Sequence, residues 1–186
     1  MGKKVLIFTL LPLVFSFALF SVVDFNLGSI SFVGVTLLAY FLFNLYLDSS
    51  NKSTNSRRLR GFSAYLGFLL CSIYLLSPAV LLLNGWMVII LWIVFFVLSY
   101  RYREILLSSI LSNGKGNRGI RFIYWGSAIV VLLIGGGGYY PVTSRILNQY
   151  QGDSASIFLS SIYLFFSLWF LIFAQSSIAK FTTFKD

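Results

Sequence analysis

The sequence predicts an all-α, polytopic membrane helix bundle: a single domain of six transmembrane helices with both termini in the cytoplasm. Three observations carry this expectation. The 186 residues are 58% hydrophobic and only 10% charged, with a mean hydropathy of +0.87, outside the usual range of soluble domains. Apolar residues fall in runs near the length of about 20 residues that a crossing needs. Apart from Arg145, every lysine and arginine falls in a segment that a six-span count puts on one side, the side where basic residues accumulate during insertion.

The first span is expected over 5–23, behind Lys3 and Lys4. It reads as a retained helix, although Ser16 and Ala18 also offer the small-x-small pair of a secretory cleavage site. Pro12 should kink it or mark close packing, because the ring removes one backbone hydrogen bond. Asp24, Asn26 and Gly28 then make a short outer turn. The second span is 29–47, with Tyr40, Asn44 and Tyr46 near its inner end, where amphipathic side chains tolerate the headgroup region. Lys52, Arg57, Arg58 and Arg60 lie among Ser, Thr and Asn in 48–61, which reads as a mobile cytoplasmic loop.

Spans three and four, 62–83 and 86–99, are joined by Asn84 and Gly85, a strong turn signal. A re-entrant pair is the competing form, and it also leaves both ends on one face. The return leg is short and is expected to continue as helix through Tyr100 and Arg103, whose long side chains reach the headgroups. The second basic inner stretch, 100–121, sets Arg101, Arg103, Lys115, Arg118 and Arg121 against Glu104. Within it 105–111 suits an amphipathic interfacial helix, ended by Asn113, Gly114, Gly116, Asn117 and Gly119. The fifth span, 122–141, has Tyr124 and Trp125 at one end and Tyr139 and Tyr140 at the other, an aromatic belt at both interfaces. An outer loop with Arg145 and Asp153 precedes the sixth span, 156–174, and Lys180 and Lys185 return the chain to the inner side.

The residue inventory argues against catalysis. There is no histidine, the five acids are dispersed, and none lies deep in a span; Asp24, at an outer turn, comes nearest. Cys71 is the one cysteine, placed in an apolar run where its thiol should be inert and no intrachain disulfide is available. No metal, cofactor or proton relay is therefore expected.

Two sets of residues remain as candidates. Ser63, Gly67 and Cys71 recur at four-residue spacing and give the third helix a small face for close packing, within the chain or against another copy. Gly135, Gly136, Gly137 and Gly138 suit close helix contact at the outer end of the fifth span, or an unwound backbone. The second set is Lys52, Arg57, Arg58, Arg60, Arg101, Arg103, Lys115, Arg118 and Arg121. Beyond setting orientation, these suit anionic lipid headgroups or an acidic protein partner; direct nucleic-acid binding is not expected.

The function that follows is a non-enzymatic subunit of a bacterial cytoplasmic membrane, assembling or anchoring a larger complex as a homo-oligomer or with a cytosolic or membrane protein. Components of bacterial defence or immunity systems are built this way. The alternatives are the membrane part of a small-solute permease driven by a separate ATPase, and a homo-oligomeric channel.

Overall fold

The computed structural model describes residues 3–20, 27–49, 55–82, 85–111, 116–134 and 153–182. These residues are helical apart from short connections, and no strand occurs among them. The helices are α1 (Lys3–Phe20), α2 (Leu27–Ser49), α3 (Asn55–Leu82), α4 (Gly85–Arg101), α5 (Arg103–Leu106), α6 (Arg118–Ile134) and α7 (Asp153–Thr182). A π-helical turn over Leu107–Leu111 continues α5.

Stretches within α2, α3 and α7 (Ile30–Leu47, Gly61–Leu81 and Ile157–Ile178) are long and apolar enough to cross a membrane. A fourth joins them if α4 and the bent segment after it form one crossing. Such helices fit a membrane-embedded protein. The 17 residues of α6 extend about 26 Å at 1.5 Å per residue, short of a hydrocarbon core of about 30 Å.

The helices overrun several expected boundaries. Gly28 belongs to the first turn of α2 rather than to a turn before it, and Asp24 and Asn26 lie outside the described residues. Helix α3 begins at Asn55, so Arg57, Arg58 and Arg60 stand on helical backbone, not in a loop. Arginine and leucine are good helix formers, and nothing in NSRRLR interrupts the pattern leading into the apolar run. In the same way α6 takes in Arg118 and Arg121, and α7 continues past 174 to Thr182. The expected helical continuation through Tyr100 and Arg103 is present but interrupted by a turn at Tyr102. The chain bends by 76° between α4 and α5, with Tyr102 at the corner. The Tyr102 amide still reaches the Leu98 carbonyl (3.0 Å) and the Leu106 amide the Tyr102 carbonyl (3.0 Å), so the bend leaves the hydrogen-bond ladder nearly whole. The 105–111 segment is helical, with Ser109 and Ile110 buried and Ile105 exposed.

The most extensive helix contact is between α3 and α7. Helix α1 lies on α3, α2 packs against both, and α4 packs on α7 and α3. Pro12 is buried in an unbroken α1, which favours the close-packing reading. Gly85 opens α4 where a β-carbon would come within 3.1 Å of the Val80 side chain, a close fit that a larger residue would have to displace. Beyond these, α5 and the π turn lean on α7, while α6 touches only the π turn and α7 to any extent.

Candidate functional site at the basic end of the bundle

The contacts fix which helix ends gather. Asn44 and Phe43 of α2 meet Ser63 and Phe62 near the start of α3. Phe68 of α3 meets Phe173 of α7 edge-on at 4.6 Å, and Tyr124 of α6 stacks on Trp169 of α7 at 4.8 Å. The start of α3, the end of α4, all of α5 and the start of α6 therefore share one end of the bundle with the C-terminal half of α7. That end holds Arg57, Arg58, Arg60, Arg101, Arg103, Arg118 and Arg121 by position in the chain. Lys52 and Lys115 lie outside the described residues.

The arginines at the starts of α3 and α6 are placed against the local helix field, whereas Arg101 ends α4 at the favourable, negative end of its dipole. Neither α3 nor α6 has an acid in its first turn, and each begins with arginines beside the positive end of its dipole. That juxtaposition costs about 0.3–1 kcal/mol per charge in isolation and is reversed when an anion joins the site. Arg118 is exposed, whereas Arg121 also serves the fold: its Nε donates to the Ser109 carbonyl at 2.9 Å. Asn117 caps α6 through its side-chain oxygen, which accepts the Gly119 amide at 2.8 Å, and its own amide donates to Ser109 Oγ at 3.3 Å. Gly116 is obligatory here, because a β-carbon would collide with the backbone of Ser108 and Ser109. Across the bend, the Arg103 guanidinium lies 4.5 Å from the centre of the Tyr100 ring. Tyr100 to Ile105 line an open recess of about 480 Å³ around it.

The small face of α3 is buried, but toward three neighbours, α2, α7 and α1. Ser63 Oγ donates to Asn44 Oδ1, Tyr40 Oη donates to the Ser63 carbonyl at 3.0 Å, and Asn44 Nδ2 donates to the Tyr40 carbonyl at 2.9 Å. Gly67 lies under the same tyrosine: a β-carbon there would run into the Tyr40 hydroxyl. Cys71 instead faces α7 and α1, packed with Leu75, Phe170 and Phe15. Gly135, Gly136, Gly137 and Gly138 lie outside the described residues.

No protein-family model matches the chain, and no curated protein or solved structure matches it. Its reading rests on its own residues.

The sequence reading missed the polar groups that cross helix seams. Ser72 and Ser167 donate to each other's carbonyls at 2.8 and 2.7 Å, and the Trp92 indole donates to Ser72 Oγ at 2.9 Å. Thr36 and Tyr74 join their hydroxyls at 2.6 Å. Tyr124 and Trp169 exchange side-chain-to-carbonyl bonds at 3.0 and 3.1 Å. Tyr124 is thus buried against α7 rather than part of an interfacial belt. A signal existed for one seam only: the four-residue spacing of Tyr40 and Asn44 matches that of Ser63 and Gly67. Gln175 is wholly buried in α7 with neither side-chain polar atom hydrogen-bonded; the Tyr65 hydroxyl comes near it without bonding geometry.

Proposed function

We propose that the chain is a non-enzymatic integral membrane subunit whose packed helices form a scaffold and whose basic end faces the cytoplasm as a docking surface. In this reading the six-span count holds, both termini are cytoplasmic, the host is a bacterial cytoplasmic membrane, and the partner is an acidic protein. The observation that supports it most is the gathering of the starts of α3 and α6 and the end of α4, with their arginines, at one end of the bundle. The arginines that open α3 and α6 oppose their own helix dipoles, an arrangement that favours an anionic neighbour. A channel lined by serines has less support, since Ser72 and Ser167 bond to each other across the α3–α7 seam.

The test is site-specific photo-crosslinking in native membranes from position 58 or 118, with Val35 on the exposed face of α2 as control. A discrete adduct from the basic end is expected, and the adduct from position 118 should weaken when Arg57, Arg58 and Arg60 are changed together to Gln. Glutamine keeps the helix and avoids a reversal of charge that would itself disturb insertion. A strictly monomeric protein, with no adduct at either basic position, would rule the reading out.

A further inference from the structure

Helices α4 and α6 flank α7 without packing extensively on each other, and a cleft of about 390 Å³ lies between the three. Its walls include Phe95 of α4, Ile123 of α6, and Leu168 and Ile172 of α7; Leu106 and Ile110 lie toward the arginine-bearing end. The lining is almost wholly apolar, and the volume falls in the range of about 300–1,000 Å³ typical of ligand clefts. Inside a bilayer, apolar walls alone give no preference for an occupant, because lipid tails are as apolar as the protein. Selectivity has to come from a charged end.

That end is present. Leu106 is three residues from Arg103 and Ile120 two from Arg118, each less than one helical turn away. The capped start of α6 adds the positive end of a helix dipole. Glu104 is the only acid on α4, α5 and α6, and it is exposed; Asp153 opens α7 at its opposite end. We propose that this cleft is a site for one anionic membrane phospholipid, with an acyl chain between α4, α6 and α7 and the phosphate against Arg103 and Arg118. Basic pockets between membrane helices are suited to such headgroups. The lipid would hold α6 to the rest of the bundle, where protein contacts are sparse. This rests on the reading that the basic end meets a headgroup layer, but not on any protein partner.

The purified full chain in phosphatidylcholine nanodiscs is doped with phosphatidylglycerol carrying a diazirine in one acyl chain. Illumination should label peptides of α4, α6 and α7 around Phe95, Ile123 and Leu168. Unlabelled phosphatidylglycerol should compete, and additional phosphatidylcholine should not. Leu168→Trp and, separately, Ser127→Trp should each cut labelling severalfold by filling the cleft. Arg103→Gln and Arg118→Gln should each reduce the phosphatidylglycerol preference roughly fivefold while leaving labelling by a diazirine phosphatidylcholine unchanged. Each variant is compared only where it elutes as the parent does, and having two fillers and two arginine changes guards against one failing to fold. Labelling of exposed α2 residues such as Val35 and Leu38 equal to that of the cleft, or equal competition by both lipids, would overturn the site. Because no other protein is present, that result would leave the docking reading standing, whereas loss of the photo-crosslinked adduct would leave the lipid site untouched.

Discussion

The group of α1, α2, α3 and α7 is laced together, while α6 is only pinned. Across the first group run the Tyr40–Asn44–Ser63 knot, the Thr36–Tyr74 pair and the reciprocal Ser72–Ser167 bonds, each beside tight contacts at Gly67, Cys71 or Phe170. Helix α6 is held by the reciprocal clasp of Tyr124 with Trp169, by ring contacts of Trp125 with Trp169 and Phe173, and by Arg121 to Ser109; most of its remaining apolar residues are exposed. Both regions are equally hydrophobic to the eye. What separates them is interhelical packing and hydrogen bonding, the forces that act between helices when lipid removes the hydrophobic drive.

The contrast is broken most severely at Gly67. Replacing it with Leu forces a side chain into Tyr40 and should cost about 3 kcal/mol, seen as loss of the monodisperse species or a large fall in thermal midpoint in detergent. Gly34→Leu is the matched control, since a β-carbon there meets nothing within 4 Å, and it should leave the midpoint unchanged. Equal effects from the two would mean that the α2–α3 seam is not the close contact described.

Next comes Ser72, which serves two partners. Ser72→Ala should cost about 1–2 kcal/mol, near the upper limit for membrane hydrogen bonds, because it also strands the Trp92 indole. Combined with Trp92→Phe the loss should be less than additive, and full additivity would show that the two do not interact.

Gln175 tests the opposite sign within the laced half. Its amide is buried without hydrogen bonds, so Gln175→Met, similar in volume and apolar, should raise stability by about 1 kcal/mol in the same assay. A fall of that size would mean that the amide has a partner.

The smallest effect belongs to the pinned helix. Tyr124→Phe removes one half of the clasp and should lower global stability by about 0.6 kcal/mol. Amide exchange should nevertheless rise in α6 and hardly at all in α3, and a uniform rise would erase the distinction between the two regions.

How much of this was legible beforehand follows from the same physics. Helical class and membrane-crossing segments were readable because long apolar runs have few other uses. Helix ends were not, since Arg57, Arg58, Arg60 and Arg118 carry charge that reads as loop and propensity that permits helix. The bend at Tyr102 has no Pro or Gly to announce it. Serines such as Ser72 and Ser167 are equally content bonding their own helix, as Ser176 does to the Ile172 carbonyl, so sequence does not reveal which of them cross a seam. The basic residues could be named one by one, but their convergence from four helices is a property of the packing.

The most direct test of the account is accessibility mapping with single engineered cysteines, for which the wild-type chain is well prepared because its one thiol, Cys71, is fully buried. Arg57→Cys, Arg118→Cys and Arg145→Cys are treated with an impermeant maleimide in right-side-out vesicles, then again after permeabilisation. The account predicts that positions 57 and 118 react only after permeabilisation and position 145 reacts before it. Reaction of 57 and 118 from opposite sides of the bilayer would contradict it, and the docking surface would no longer exist as one surface.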